Sequence, residues 1–306
     1  MINVVGIRGS VKAVKHITRG IRSHGDDYAL ADSVDDPVAQ EADAFLQTNL
    51  LKPKFATVNR NGPYEYILNS GKPFLVQESP NFRKYAGTYQ RLGWYSYKWT
   101  DGVFGNQNSP PDRWQKFERT TGLRIKDWRS PGDKIILMGQ KEGDSSIVEI
   151  YNQGFKSFTE WMQHTVNEIR KYTDREIIIR PHPRNLNGGI KGAQGIQGKN
   201  IRLSDNLTSG GSQGGEGLEA DLKQAYCVIT YNSLSGVESV CNGIPTFALN
   251  NGSMVWPVTH HDLSQIEHLK YDIDTTQWKY DIAYTQWTSD EQIRGEAWAH
   301  LKPLIF

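Results

Sequence analysis

The sequence predicts an α/β chain whose second half carries a parallel sheet. Three observations support this. Short apolar segments alternate with longer segments of helical spacing. The segment Glu176-Ile177-Ile178-Ile179 runs straight into Arg180-Pro181-His182-Pro183-Arg184. Tyr226–Thr230 runs just as directly into Tyr231-Asn232-Ser233-Leu234-Ser235, and polar residues at strand carboxyl ends are where open α/β sheets bind ligands.

Residues 2–7 read as a first strand, and Arg8-Gly9-Ser10 as a tight turn with Ser10 as helix N-cap. Val11, Val14, Ile17 and Ile21 then recur at helical spacing over 11–23, and Gly25 ends that helix. Residues 27–31 and Phe74-Leu75-Val76 are further strands of a βαβ-type unit. Residues 79–130 are rich in aromatics, Gly, Asn and Pro without a clean period. They are expected to be irregular and to wall a cleft.

Ser130-Pro131-Gly132-Asp133 reads as a linker, so the expected domains are 1–130 and 131–276. The second domain's strands fall at Lys134–Met138, Glu176–Arg180, Asn200–Leu203, Tyr226–Thr230 and Thr246–Leu249. Its helices fall near Phe155–Lys171, Leu218–Gln224 and Leu234–Asn242. Residues 185–199 and 205–216 read as Gly- and Asn-rich loops. The stretch 277–306 carries Trp287 and Trp298, with Trp278 just inside it, on a helix-like pattern that packs back on the first domain.

A chain of 306 residues with 23% charged and 37% hydrophobic residues fits one large or two moderate globular domains. No apolar run reaches bilayer length, so the expectation is a cytoplasmic protein with no membrane partner. Cys227 and Cys241 read as buried free thiols. The net charge of +1 is unevenly spread. Residues 51–130 hold 14 Lys and Arg against 6 Asp and Glu, a local +8, together with 15 of the 33 aromatics. Basic residues interleaved with Phe82, Tyr85, Tyr89, Trp94, Tyr95, Tyr97 and Trp99 can hold phosphates and stack on bases or sugars. An aromatic core with a solvated basic rim is the alternative.

The candidate donor site is built from strand ends. Arg180 and Arg184 can bind phosphate bidentately, and the His182 imidazole can donate to a phosphate or sugar oxygen. Asn232, Ser233 or Ser235 caps a helix, with Ser235 and Glu238 at capping-box spacing and Glu238 able to reach sugar hydroxyls. Gly139, Gln140, Asp144 and Ser145 form a third strand-end loop, and Ser253 and Met254 a fourth. His260 and His261 read as solvated, and no metal site is expected; Asp272-Ile273-Asp274 reads as a solvated turn. Gly6-Ile7-Arg8-Gly9-Ser10 lacks the full dinucleotide fingerprint. For a general base the candidates are Glu78, after a strand, and Asp101, in the aromatic segment. Arg8, Arg83, Tyr85, Arg91, Trp94, Tyr97 and Trp99 are the expected acceptor contacts.

The His-Pro turn and the run Asn232-Ser233-x-Ser235-Gly236-x-Glu238-Ser239-x-x-x-Gly243-Ile244-Pro245 resemble the C-terminal half of nucleotide-sugar glycosyltransferases. The likeness covers roughly 134–257 and is strongest to capsular Kdo transferases and related sialyltransferases. It implies two Rossmann-like domains facing across a cleft, the GT-B arrangement. It also implies that His182, Pro183, Asn232, Ser233, Ser235 and Glu238 hold the donor's phosphate and ribose. A closer resemblance, over about 74–300, is to phage-encoded glycosyltransferase-like proteins. That similarity rests on Leu92-Gly93-Trp94, Gly139-Gln140, Gly143-Asp144-Ser145, Arg180-Pro181-His182-Pro183, Tyr231-Asn232-Ser233, Gly252-Ser253-Met254 and Trp256-Pro257. It implies a DNA acceptor, a 5-hydroxymethyl-pyrimidine, in a host cytoplasm. The Kdo enzymes' own acceptor does not carry over, because their extra elements are missing here.

The expectation is therefore a glycosyltransferase using a nucleotide-sugar co-substrate, a UDP-sugar, with no other cofactor. His182 and the arginines meet the leaving diphosphate. A nucleotide-sugar 2-epimerase and a non-catalytic binding protein are the alternatives.

Overall fold

The computed structural model describes residues 1–53, 61–182, 193–207 and 215–306, and the chain divides into two compact units. Unit 1 comprises Met1–Asn81, Tyr85–Phe117 and Lys279–Phe306; unit 2 comprises Phe82–Lys84 and Glu118–Trp278. Pro183 and Arg184 lie outside the described residues.

Unit 1 is a six-stranded sheet in the order β11-β5-β4-β3-β1-β2. Its strands are β1 (Asn3–Ile7), β2 (Asp27–Ala31), β3 (Ala44–Thr48), β4 (Phe74–Glu78), β5 (Tyr89–Trp94) and β11 (Gln286–Thr288). β1 pairs in parallel with β2 and β3, and β3 with β4; β5 is antiparallel to β4 and β11. Strand alternation sorts the apolar residues onto two faces. Val4, Leu46, Leu75 and Leu92 pack with Ile17, Ile21, Trp298 and Leu301. Val5, Phe45 and Val76 pack with Ile67 and Tyr97 on the other face.

Unit 2 is a five-stranded sheet in the order β10-β9-β6-β7-β8. Its strands are β6 (Lys134–Met138), β7 (Ile177–Arg180), β8 (Ile201–Leu203), β9 (Ala225–Thr230) and β10 (Thr246–Ala248). All its pairings are parallel. Both faces are covered, which is why β6, β7, β9 and β10 are apolar and buried at their central positions, whereas edge strand β8 carries Arg202. Ile135, Leu137, Ile177, Ile179 and Ile229 meet the helix Phe158–Ile169 through Phe158, Trp161, Met162 and Val166. Ile136, Ile178 and Val228 meet Leu218 and Leu222 of the helix Gly215–Leu222. The chain is thus mixed α/β with parallel sheets, as the alternation predicts.

Several expectations need correction. The first helix spans Lys15–Ser23 rather than starting at 11. Ser10 does not cap it: its hydroxyl donates to the Ile7 carbonyl, and Ala13 at φ 53° interrupts the approach. The segment 79–130 contains β5 and the helix Asp112–Thr121, so it is far more regular than its composition suggests. Trp287 sits on β11, a strand, not on a helix. One close approach demands glycine: a Cβ at Gly20 would stand 2.0 Å from the Gln292 carbonyl oxygen.

Cys227 and Cys241 are free and buried, and burial pushes the Cys241 thiol up to about 12. No helix among the described residues is long and apolar enough to cross a membrane.

Candidate functional site

Because every unit 2 pairing is parallel, β6, β7, β9 and β10 all deliver their carboxyl ends to one edge. The residues beyond those ends are Gly139-Gln140, Pro181-His182, Tyr231-Asn232-Ser233 and Leu249-Asn250. Gly139 brings two of these loops together. Its N–H donates to the Arg180 carbonyl at 2.7 Å, and a Cβ there would lie 3.0 Å from that oxygen and 3.2 Å from the His182 nitrogen.

Amides hold the centre. Gln140 Nε2 donates to Asn232 Oδ1 at 2.8 Å, and the Asn232 N–H donates back to Gln140 Oε1 at 3.0 Å. Asn232 Nδ2 donates to the Ser146 carbonyl at 2.7 Å and to Asn250 Oδ1 at 3.0 Å. Asn250 Nδ2 reaches the hydroxyl of Tyr231, whose ring is packed against Phe158 and Trp161. Gln140 and Asn232 are 7% and 8% exposed, so these bonds satisfy groups that water does not reach. Each contributes about 1 kcal/mol net and costs more than that if broken on one side. Both residues therefore shape the edge more than they offer it free polar atoms.

The helix Ser235–Cys241 begins without a side-chain cap, its N-cap being Leu234, so the capping box expected of Ser235 and Glu238 does not form. Ser233 does the local work instead: its Oγ accepts from the Ser235 N–H, and Thr230 Oγ1 accepts from the Ser233 N–H. The Ser235 hydroxyl is buried and has no hydrogen-bond partner among the described residues. Burial pushes the Glu238 carboxyl above its ordinary value, opposed by the charges of Arg83 and Arg180.

Arg180 corrects a central expectation. Its guanidinium is 6% exposed and Nη1 is spent on Asp221, Ser204, Asn206 and Gly217. Asp221 is wholly buried and also accepts from Ser204 and Asn206. Arg180 thus ties β7 to the helix Gly215–Leu222 and is not an open cation for a diphosphate. Ser145 at 2%, Ser253 at 0% and Met254 at 2% exposure are likewise interior, with the Met254 carbonyl accepting from Trp278 Nε1. Asp144 caps the short turn Ser145–Ile147 through the Ser146 N–H. His182 is half-buried at its strand end, where the sequence placed it.

Three of the seven expected acceptor contacts, Arg91, Trp94 and Tyr97, are core residues of unit 1. Trp94 is 0% and Tyr97 5% exposed, and Trp94 Nε1 donates to the Leu301 carbonyl. Arg91, 5% exposed, donates to the Ser79 and Tyr97 carbonyls and lies 5.0 Å from the Tyr97 ring centroid. Aromatics and arginines interleave here because the arginine is folded into the packing. Tyr85 makes an edge contact with Phe117, Trp99 is half-buried, and exposed Arg8 pairs with Asp32. Arg83 is half-buried and belongs to unit 2. Glu78 ends β4 and accepts from the Ser79 N–H; Asp101 is exposed and accepts from Thr100.

Of the histidine pair, His261 is exposed as expected, whereas His260 departs from the expectation. His260 is half-buried and stacked on Phe247, and burial lowers its pKa. Asp274 caps the Thr276 N–H. Among the described residues no group of His, Cys, Asp and Glu could hold a metal ion. Asn250 and Asp221 were missed by sequence reasoning. Asn250 follows the β10 apolar run into Asn251-Gly252, a turn signal that could have marked it; a lone helical Asp221 carries none.

No protein-family model matches the chain, and no curated protein matches it in sequence. Solved structures share its fold, among them two Kdo transferases. Thermosulfurimonas dismutans KpsC, beta Kdo 2,4 transferase, is 13% identical at a TM-score of 0.56, covering 92% of this chain and 91% of that one. Thermosulfurimonas dismutans KpsC, beta Kdo 2,7 transferase, is 13% identical at a TM-score of 0.51, covering 98% and 99%.

Proposed function

We propose that the protein is a glycosyltransferase that moves a sugar from a nucleotide-sugar donor to an acceptor hydroxyl, with the donor held at the polar edge of unit 2. One observation carries the reading: four parallel strands end together in a hydrogen-bonded floor of Gln140, Asn232 and Asn250 beside His182. The likeness in fold to two Kdo transferases supports it and makes Kdo a sugar to test.

His182 is assigned the leaving phosphate, which it meets as a hydrogen-bond donor. With Arg180 committed to Asp221, the arginine share of that task falls to Arg184, outside the described residues. The proposal needs no cofactor beyond the co-substrate. In the GT-B scheme donor and acceptor belong to different domains, so the general base is sought in unit 1, at Glu78 or Asp101. The hydroxymethyl-pyrimidine acceptor came from the phage resemblance, which the likenesses to solved structures do not support, and the burial of Arg91, Trp94 and Tyr97 removes the agreement of the basic, aromatic stretch with it; the acceptor is kept at the level of a hydroxyl.

Chromatography of nucleotide-sugars incubated with and without candidate acceptors tests the reaction. Nucleotide release coupled to sugar appearing on an acceptor is expected for one donor. Glu78→Gln or Asp101→Asn should slow it on the order of 10²- to 10⁴-fold. Isomerisation of the donor with no acceptor present would instead identify an epimerase.

A further inference from the structure

The segment Phe82–Lys84 belongs to unit 2 and brings it an arginine that the donor floor does not use. Phe82 is buried and Lys84 exposed, with Arg83 half-buried between them. A guanidinium carries five donors and no acceptor. Those of Arg180 are committed to Asp221 and its neighbours. Arg83 commits none: among the described residues it has no hydrogen bond and no ion pair. The stretches outside the described residues, 54–60, 183–192 and 208–214, contain no Asp or Glu and so bring it no counter-ion. A half-buried charge without an acceptor is costly unless a ligand supplies one.

Glu238 locates this charge. Its carboxyl lies in the first turn of the helix that follows β9, is half-buried, and accepts no hydrogen bond among the described residues. The charges of Arg83 and Arg180 both act on it, yet neither arginine closes an ion pair with it. Burial holds the carboxyl above its ordinary value, which makes it a weak counter-ion. Arg180 stands two positions before His182, and β6 alone separates β9 from β7. The two strand ends are therefore about 10 Å apart, so one phosphorylated ligand can touch both. The open groups also state what they would take. A free guanidinium calls for an oxyanion, and a desolvated carboxyl without donors calls for a hydroxyl. A sugar phosphate carries both on one fragment, whereas a neutral sugar carries only the second.

We propose that Arg83 is a phosphate-binding residue of the donor edge, meeting the phosphate that carries the donor's ribose while Glu238 faces the ribose hydroxyls. The inference rests on the donor reading above and adds a cation to it. It moves Arg83 from the acceptor contacts, where the sequence put it, to the donor.

Titration calorimetry of the full chain with UMP, CMP, GMP and AMP, and with the four matching nucleosides, tests it. Arg83→Met is expected to weaken the preferred nucleotide by about ten- to a hundredfold, the loss of a charge-assisted hydrogen bond. The nucleosides, which lack the phosphate, should bind this variant as they bind the parent. Arg83→Lys keeps the charge without the planar fork and should recover part of the affinity. In a Glu238→Gln background Arg83→Met should weaken the nucleotide by the same factor, because Arg83 acts on the ligand and not through Glu238. An unchanged nucleotide affinity in Arg83→Met, an equal weakening of the nucleoside, or a loss that vanishes in the Glu238→Gln background overturns the assignment and leaves the donor reading standing. If the parent binds no nucleotide, the donor reading falls and the assignment with it. Thermal melts of each variant separate lost binding from lost folding.

Discussion

Asp221→Ala is expected to lower the stability of unit 2 by about 3 to 5 kcal/mol, the loss typical of a buried ion pair broken on one side. The carboxylate is wholly buried and accepts from Arg180, Ser204 and Asn206. Without it the Arg180 guanidinium, itself 6% exposed, keeps only neutral hydrogen-bond partners and remains desolvated. The same change reaches the site, because Arg180 closes β7 directly before Pro181 and His182. Urea unfolding measures it. The paired replacement Arg180→Met with Asp221→Leu should lose much less than the two single changes together, since it removes both charges at once. A loss under about 1 kcal/mol for Asp221→Ala, the range of an exposed pair, would contradict the buried network.

The second large effect lies in unit 1 and depends on pH. Glu291 is 1% exposed, accepts from Arg113 at 3.1 Å and Lys116 at 2.7 Å, and completes a capping box with Thr288. Burial alone would raise its pKa, but the charge of Arg113 and the bonds from Lys116, Thr288 and Arg113 outweigh burial and hold it at about 2. Arg113 is fixed in turn by the Gln286 carbonyl and by the Trp287 ring, 3.7 Å away. A folded pKa below the ordinary 4.5 means that the carboxylate form is favoured by folding. The stabilisation, roughly 2 to 3 kcal/mol, is fully present above pH 4.5 and is lost as pH falls toward 2. Glu291→Gln should therefore be clearly less stable than the parent at pH 7, and the gap should shrink steadily at pH 4 and pH 3. A gap that stays constant with pH would show that the charge is not what Glu291 contributes.

How legible these features were depended on their range in sequence. The strands Lys134–Met138, Ile177–Arg180 and Ala225–Thr230 announced themselves, because each is a local apolar run ended by polar turn residues. The grouping of Gln140, His182 and Asn232 at one edge followed from parallel topology alone. Their partnerships did not: the Gln140–Asn232 bonds span 92 positions, and Arg180–Asp221 spans 41. Nothing local distinguishes an arginine that will be buried against a distant carboxylate from one left open for phosphate. Likewise Trp94 and Arg91 look like a surface for stacking until β5 is paired between β4 and β11 and their side chains turn inward. Ser10 illustrates the same limit at short range, since its hydroxyl found the Ile7 carbonyl before it could cap a helix.

The central claim is that unit 2 binds a nucleotide-sugar at an edge that includes His182. Its most direct test is a thermal-shift screen of the protein against UDP-, GDP-, CMP- and ADP-sugars, CMP-Kdo among them, repeated with His182→Ala. A ligand that binds only the native state raises the melting temperature, by about 2.7 kcal/mol of stabilisation at a hundredfold excess over Kd. A shift with one donor that is lost or strongly reduced in His182→Ala is the predicted result. No shift with any donor, or an equal shift in the variant, would contradict it.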